Sequence, residues 1–336
     1  MQKVLNEIIG QKGITAKVLL DSISNETGQR ITTFELTYPR MILAELNTHR
    51  VFSRNSASSR AIPFNKMKGQ LIAEPVRFGA ANTGMQDKGE DFNAFIIDPF
   101  SSENLLPNKA WKLAKDDAVA WSEAFYNAGY HKQVYNRLTE PFQMIKTVLT
   151  TTEYNNFNWL RNDTAADPSL EELAKCMLAA RHSSPIQFLN AGEWHLPYVD
   201  VLNSCDGTGQ LFYIDENDIG TTNTISLEEA IQVSSARCAA VSFRNTDYGL
   251  DKSREVYDRL VGDERKHASA LEHQATPILL TKTFIETADL FSVNDPANPH
   301  TWQKGISHVD RDGIFWSGNL KNWVQHRKLL TGENYA

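Results

Sequence analysis

One short stretch, residues 45–63, constrains this chain more than any other. It reads ELNTHRVFSRNSASSRAIP, and it follows residues 31–46, in which apolar and polar positions alternate. Guanidinium groups, serine hydroxyls, an amide and loop N–H groups are the donors that bind a phosphate or another planar anion. The stretch therefore predicts an anion-binding loop next to a sheet, although a solvated surface loop can have the same composition.

The periodicity of the remaining sequence predicts both strands and helices. Alternation predicts strands at 16–24 and 29–36, joined by a turn, and a β-branched run at 145–152 fits a strand or a buried helix. The segment 226–243 opens with a capping box and reads as a helix that leads into a strand at 240–243. Further helices are predicted at 40–47, 63–72, 108–128, 132–137, 153–161, 169–180 and 251–262. We therefore expect an α+β fold in which a mainly antiparallel sheet is flanked by helices.

Two segments have the composition of loops. Residues 204–223 are rich in Gly, Asp and Thr and predict a surface excursion. Residues 78–100 are rich in Gly, Asn and Asp. Because long loops in compact domains are often functional, the second segment is a candidate lid.

Composition excludes several classes of function. A chain of 336 residues, 41% of them hydrophobic, can form the core of one extended domain over residues 1–336. The net charge of −7 argues against a nucleic-acid polymer as the partner. No apolar run approaches the roughly 18 residues of a membrane span, so we expect no membrane partner. Three cysteines without a CxxC pair are typical of reduced thiols, which predicts a cytoplasmic location.

Glu193 and His195 form a pair that invites a metal-binding or catalytic interpretation. On a strand, residues two positions apart face the same side. A metal ion needs three or four converging ligands, and this segment supplies two. We therefore expect a structural role for the pair and no metal site.

The order of residues within 45–63 resembles the signature of the flavin-dependent thymidylate synthases. The pattern His-Arg-x-x-Ser-x-Asn-x-x-Ser-x-Arg is carried by His49, Arg50, Ser53, Asn55, Ser58 and Arg60. Members of that family make dTMP from dUMP; methylenetetrahydrofolate supplies the carbon, and FAD reduced by NADPH supplies the hydride. Two positions depart from the family's pattern, because Thr48 replaces an arginine and Ser56 replaces a glutamate.

Two further regions carry the same resemblance. The family has an arginine followed by Leu-Pro and then a helix that ends in Asn-Phe-x-x-Leu-Arg, which Arg137 and residues 156–161 match. Its Ala-Arg-x-x-x-Val-Ser-Phe and His-x-Ser/Thr-Pro-Phe-Glu-His motifs are matched at 236–243 and 267–273, with Ala270 and Leu271 in place of Pro-Phe.

The order of these regions differs from the family's order. In family members the last two motifs precede the signature, whereas here they follow it. The chain therefore looks like a circular permutation, in which residues 29–180 contain the signature loop and a helical core. Residues 226–280 would be the permuted module that completes this core, and residues 281–336 a C-terminal extension.

The resemblance implies a role for each matched residue. The implied substrate-binding residues are Glu45, Ser58, Ser59, Arg60, Arg137 and Arg161. The implied cofactor-binding residues are His49, Arg50, Ser53, Asn55, Asn156, Ser242, His267 and Ser269. Arg161 is also the expected catalytic residue, because its guanidinium suits the pyrimidine O2 or N3, where negative charge develops.

Two departures from the signature change its charge. Glu45 stands where the family has a glutamine, and Thr48 where it has an arginine, which is a swing of two charges beside an expected phosphate. At 4 Å and an effective dielectric of about 20, one misplaced charge is worth about 4 kcal/mol. We therefore expect Glu45 to point away from the site and to pair with Arg50 or Arg54. Without that pairing, the site has been rebuilt for a different group.

The expected function is reductive methylation of dUMP to dTMP with FAD, and with NADPH and methylenetetrahydrofolate as co-substrates. The resemblance also implies a homotetramer. Two alternatives stay open: a flavin- and folate-dependent hydroxymethylase of dUMP or dCMP on the same scaffold, and a nucleotide-binding protein without catalytic activity.

Overall fold

A six-stranded, mainly antiparallel sheet forms the centre of the protein. The structure, a computed structural model, describes residues 7–84, 89–203, 209–216, 221–241, 248–262, 266–280 and 294–333. Within them the strands are β1 (Glu7–Ile9), β2 (Thr15–Ser24), β3 (Arg30–Pro39), β4 (Ser53–Ser56), β5 (Ile96–Ile97), β6 (Asn104–Leu105), β7 (Met144–Thr151), β8 (Gln187–Leu189), β9 (Asp200–Asn203), β10 (Gln210–Glu216), β11 (Thr221–Ile225), β12 (Ala275–Pro277), β13 (His308–Val309), β14 (Phe315–Ser317), β15 (Leu320–Lys321) and β16 (Trp323–Gln325).

Helices surround this sheet. The α-helices are α1 (Leu43–Asn47), α2 (Phe64–Lys68), α3 (Pro107–Asn127), α4 (Lys132–Tyr135), α5 (Asn155–Arg161), α6 (Pro168–His182), α7 (Leu227–Ala240) and α8 (Leu250–Val261). Short 3₁₀ helices span Gln11–Gly13, Arg40–Ile42, Asn136–Phe142, Ala268–Glu272, Pro299–Thr301 and His326–Leu329. The expected α+β class is confirmed. Among the described residues, none of these helices combines the length and apolar character needed to cross a membrane.

The central sheet has the strand order β1-β2-β3-β7-β4, and β8 pairs in parallel with β2. The hairpin predicted from alternation is confirmed as β2 and β3, which pair antiparallel. The β-branched run that fitted a strand or a buried helix is the strand β7, since its alternate side chains face two covered surfaces. β4 pairs with β7 and is the last strand on that side.

One face of the sheet is apolar. Phe34, Leu36 and Tyr38 project from β3, and Leu149 projects from β7 into the same core. The buried side of α6 packs on this face, with Leu173 fully buried. At about 25 cal/mol for each Å² of apolar area buried, this layer is a main source of the stability of the fold.

The opposite face is mixed in polarity. Thr33 on β3 and Thr150 on β7 are both buried there. Apolar cover comes from Cys238 of α7 and from Ala270 of the Ala268–Glu272 turn, which pack on Val148. Residues from the segment 226–280 therefore cover the sheet that β4 helps to build.

α7 differs from the prediction at its end. Its start is confirmed, because Ser226 and Glu229 form the reciprocal capping box. The strand expected at 240–243 is wrong where the structure describes it, since the helix continues through Ala240. Small residues with high helix propensity, together with the burial of Cys238 and Val241 one turn apart, favour the helix here. Ser242 and the rest of that motif lie outside the described residues.

The surface excursion expected at 204–223 is also wrong in its described part. β9, β10 and β11 form an antiparallel three-stranded sheet. Phe212 and Ile214 alternate inward and pack against Ala230 and Val233 of α7. The alternation is short and lies between Gly- and Asp-rich residues, so the sequence pattern predicted a loop and not strands.

Two buried histidines predict that the fold is sensitive to acid. Burial lowers the pKa of His273 to about 3 and that of His326 to about 4. In the unfolded chain each ring binds a proton near pH 6.5. Below that pH the unfolded state therefore holds more protons than the folded state, and the free energy of unfolding decreases as the pH falls. We expect a loss of about 2 kcal/mol between pH 7 and pH 5.5 from the two rings together.

Urea unfolding at a series of pH values measures this loss. His326→Gln should remove about 1 kcal/mol of this loss, which is the contribution of one ring. His300→Gln is the matched control, because the His300 ring is exposed. A free energy of unfolding that does not change over this pH range would contradict the prediction.

Candidate functional site

The signature stretch is built around the edge strand β4 rather than being the continuous loop that its composition predicts. Ser53 and Asn55 lie opposite Thr150 and Val148 of β7, and they share the mixed face of the sheet with them. Arg54, between them, lies opposite Leu149 and shares its apolar side. The strand thus divides consecutive signature residues between two faces.

Beside the apolar face, His49 and Arg161 are in direct contact. Arg161 Nε donates a hydrogen bond to His49 Nε2 at 2.9 Å, and Arg161 Nη2 donates to the Thr48 hydroxyl at 3.2 Å. The His49 ring stacks on Phe52 and meets the edge of Phe157. Two segments that are separated by more than 100 residues therefore meet at the ends of α1 and α5.

Burial, with the Arg161 and Arg54 charges, lowers the pKa of His49 to about 4. The ring is therefore neutral at pH 7, and its Nε2 is the acceptor for Arg161, which leaves the ring proton on Nδ1. Arg161 forms no ion pair with Asp163 among the described residues, and its Nη1 has no hydrogen bond within them.

Arg54 has backbone partners instead of the expected Glu45. Its Nη1 donates to the carbonyls of Leu46 and His49, at 3.1 and 3.0 Å, at the end of α1. Lone carbonyls at a helix C-terminus attract a cation, which explains this position. The Glu45 side chain is exposed and forms no ion pair among the described residues, so the expected pairing with Arg50 or Arg54 is wrong.

On the mixed face, Asn55 joins three parts of the chain. Its Nδ2 donates to the Cys238 carbonyl at 2.6 Å, and its Oδ1 accepts a bond from the Ser269 hydroxyl at 3.4 Å. Ser53 is buried, and its hydroxyl donates to Asn319 Oδ1 at 3.0 Å. β4 is therefore held by contacts with Cys238, Ser269 and Asn319, which lie far from it in the sequence.

The residues expected to bind phosphate lie where the chain leaves β4. Asn136 Nδ2 donates to the Ser59 carbonyl at 2.7 Å, which brings Arg137 and Arg60, their chain neighbours, to the same region. Both arginines are exposed. The Ser58 hydroxyl accepts a bond from the Arg60 N–H at 3.2 Å, which closes a tight turn.

Arg40 and Glu140 belong to this basic region and were not predicted from the sequence. The buried Ser59 hydroxyl donates to Glu140 Oε1 at 2.8 Å, and Arg40 Nη1 lies 3.8 Å from the same oxygen. Burial lowers the pKa of Arg40; Arg137 lowers it further, whereas Glu140 raises it. Arg40 follows the strand that ends at Pro39, and that position was the one available sequence signal.

The predicted cofactor-binding residues Arg50, Asn156 and His267 are exposed as well. Ser242 lies outside the described residues. His273, which the family motif includes but which was not among the predicted binders, is fully buried, and its Nε2 has no hydrogen-bond partner in the part of the chain that the structure describes. Among the described residues, no cluster of three or more His, Cys, Asp or Glu side chains could hold a metal ion.

Comparisons with known proteins assign no family to this chain. Neither a family model nor a curated protein matches the chain. Solved structures that match include two of the flavin-dependent thymidylate synthase ThyX from Helicobacter pylori, both with FAD and dUMP. Each is 18% identical, covers 45% of this chain and 67% of the ThyX chain, and has a TM-score of 0.31. The function of this chain is therefore inferred from its residues and their geometry.

The contact between Arg161 and His49 predicts a shift in a measurable pKa. In Arg161→Gln the nearby positive charge is lost, so protonation of His49 becomes less costly and its pKa should rise from about 4. Histidine NMR titration measures the change. Arg60→Gln is the control, because Arg60 lies at the other end of β4 and should leave the His49 pKa unchanged. A His49 pKa that is the same in both variants would refute the contact.

Proposed function

We propose that this protein is a flavin-dependent enzyme that acts on a pyrimidine deoxynucleotide, and specifically that it methylates dUMP to dTMP. The observation that carries the proposal is the convergence of three distant segments on β4. Arg161 contacts His49, and Ser269 contacts Asn55. These four residues belong to three different motifs of the family resemblance, and a solvated surface loop has no reason to gather them.

The residues at the β4 edge fit a flavin. The flavin ring is planar and neutral, with acceptors and donors along its rim, and it is best held by uncharged polar groups beside an apolar surface. His49 is neutral at pH 7, and Asn55 and Ser269 offer an amide and a hydroxyl. These three, with Asn156 and Arg50 by resemblance, would hold it. When bound, the flavin supplies the hydride, after reduction by NADPH.

Ser53, Ser242 and His267 remain proposed cofactor-binding residues by resemblance. The buried Ser53 hydroxyl already donates to Asn319, so it also fixes β4 in place. Its contribution to binding would then be the position of the strand.

The basic region at residues 58–60 suits the phosphate of the nucleotide. Arg60 and Arg137 are exposed, and Arg40 lies beside Glu140 below them. Glutamate in this region reduces its positive charge, while the Ser59–Glu140 bond keeps the turn that carries Arg60 in one conformation. A phosphate would take the two exposed guanidinium groups as donors.

Arg161 is the residue that we assign to the pyrimidine ring. His49 and Thr48 hold two of its nitrogens, so its conformation is fixed before the substrate binds. Preorganised donors aimed at a developing negative charge stabilise a transition state without further reorganisation. Nη1 is the nitrogen that would meet the pyrimidine O2 or N3.

A hydroxymethylase of dUMP or dCMP is the second candidate, and one observation favours it. Glu45, which forms no ion pair among the described residues, lies next to a signature that lacks its first arginine. This combination was expected only if the site had been rebuilt. Both candidates require methylenetetrahydrofolate, and they differ in the group that the product carries.

A homotetramer also remains a proposal. It is supported by apolar side chains around the β5–β6 hairpin, where Phe95, Ile97 and Phe100 are 63%, 68% and 87% exposed. Exposed apolar clusters of this kind mark interaction surfaces. The circularly permuted order of residues 29–180 and 226–280 is proposed on the motif order.

The decisive experiment measures the mass of the reaction product. The purified protein should show a flavin absorption spectrum and, with dUMP, methylenetetrahydrofolate and NADPH, should yield dTMP by mass spectrometry. His49→Ala should lose the flavin on gel filtration, whereas His300→Ala should retain it. A hydroxymethylated product would establish the second candidate. Nucleotide binding without flavin or turnover would establish a non-catalytic binding protein.

Measurements of dUMP affinity test the proposed roles of Arg60 and Arg161. Arg60→Ala and Arg161→Ala should each weaken dUMP binding by at least about 1.5 kcal/mol, because each loses a charge-assisted hydrogen bond. Calorimetry would show this as a Kd increase of about tenfold. Arg311→Ala, at an exposed arginine between β13 and β14, is the control. Affinities unchanged in both site variants would remove these residues from the site.

A further inference from the structure

A chain of buried hydrogen bonds crosses the central sheet from β8 to the candidate site. Gln187 Nε2 donates to Ser22 Oγ at 2.9 Å, and Ser22 Oγ lies 2.7 Å from His195 Nδ1. His195 Nε2 lies 2.8 Å from Thr33 Oγ1, which lies 2.7 Å from Thr150 Oγ1. The last bond, of 2.9 Å, joins Thr150 Oγ1 to His273 Nδ1.

This chain ends beside the signature strand. Thr150 lies directly opposite Ser53 of β4. Gln325 Nε2 donates both to Ser53 Oγ and to the carbonyl of Glu272, the residue before His273. His273 follows the turn that places Ser269 against Asn55. Its conformation therefore bears on the groups proposed to hold the flavin.

The side-chain amide of Gln187 sets the donor-to-acceptor direction of this chain of hydrogen bonds. Gln187 donates to Ser22, so the Ser22 hydroxyl can donate its own proton to His195 Nδ1. His195 then carries its proton on Nε2 and donates to Thr33. The Thr33 hydroxyl donates to Thr150, and the Thr150 hydroxyl donates to His273 Nδ1. In this direction the ring proton of His273 is on Nε2.

The opposite direction is less favourable. There Ser22 Oγ would accept from both Gln187 and His195, and its own O–H would have no acceptor among the described residues. Ser22 is fully buried, and a buried donor without an acceptor is unfavourable because it has lost its hydrogen bonds to water. His273 Nε2 has no partner among the described residues in either direction: it is a buried N–H without an acceptor in the first direction and a lone pair without a donor in the opposite one. The opposite direction therefore leaves two buried groups unsatisfied, the Ser22 hydroxyl and His273 Nε2, whereas the first direction leaves one.

We propose that Gln187 is a positioning residue for the candidate site, acting through this one-directional chain, which holds His273 in the Nε2–H tautomer. The consequence for flavin binding rests on the function proposed above, whereas the tautomer does not. The chain does not conduct protons, because an amide is not an acid and cannot replace the proton that Ser22 would give up. It fixes the direction of donors and acceptors across the sheet.

Gln187→Glu is the sharpest test. A carboxylate of the same shape accepts a bond from Ser22 instead of donating one, so every hydroxyl in the chain should reverse. ¹⁵N-histidine NMR at pH 8 should then show His273 as Nε2–H in the unchanged protein and as Nδ1–H in Gln187→Glu. Either the Nδ1–H form in the unchanged protein or the same tautomer in both proteins would overturn the proposal.

Two further variants exclude a merely structural effect. Thr33→Val cuts the chain, so adding Gln187→Glu to it should leave the His273 tautomer as it is in Thr33→Val alone. Thr147→Val removes an equally buried hydroxyl of β7 that belongs to no part of the chain, and it should leave His273 as Nε2–H. A shift in Thr147→Val would indicate general loosening of the sheet and would overturn the proposal.

Flavin affinity tests the positioning role. Reversal of the chain should weaken FAD binding about fivefold, the effect of one neutral hydrogen bond. A reversed tautomer with unchanged FAD affinity would overturn the positioning role. If the unchanged protein binds no FAD at all, the proposed function fails, while the tautomer measurement still decides whether the chain has the stated direction.

Discussion

The pairing of β4 with β7 is the interaction on which the rest of the site depends. Its register sets Ser53 opposite Thr150 and Arg54 opposite Leu149. Because side chains alternate along a strand, a shift of one residue would move every signature side chain to the other face. Arg54 would then lose the α1 carbonyls, and Asn55 would lose Cys238. The register therefore determines both the binding groups and their supports.

The two faces of the sheet supply different chemistry to this strand. The apolar face provides a rigid layer, in which Phe52 and Phe157 hold the His49 ring. The mixed face provides hydroxyl and imidazole groups whose hydrogen bonds have direction as well as strength. An edge strand has access to both, so one short segment can present neutral groups to the proposed cofactor and charged groups to the proposed anion.

The sequence predicted local elements better than their assembly. The alternation of β2 and β3 and the capping box of Ser226 act within a few residues, so both could be predicted. Ala240 was predicted to lie in a strand but lies in a helix. Burial against the sheet decides its conformation, and a single sequence does not show that burial. The Arg161–His49 contact and the position of Arg40 also depend on which residues are close in the folded protein, which a single sequence does not show. Motif resemblance brought the correct segments together without indicating which side chains would touch.

The contacts of Ser53 determine when the site can form during synthesis. Its hydroxyl donates to Asn319, and Gln325 bonds to it as well, more than 260 positions further along the chain. A nascent chain therefore exposes β4 with an unsupported edge until almost all of the protein has left the ribosome. Contacts of such sequence separation form slowly, because a long loop must close first. Premature termination before Asn319 would release a chain that has the entire signature and none of its C-terminal support.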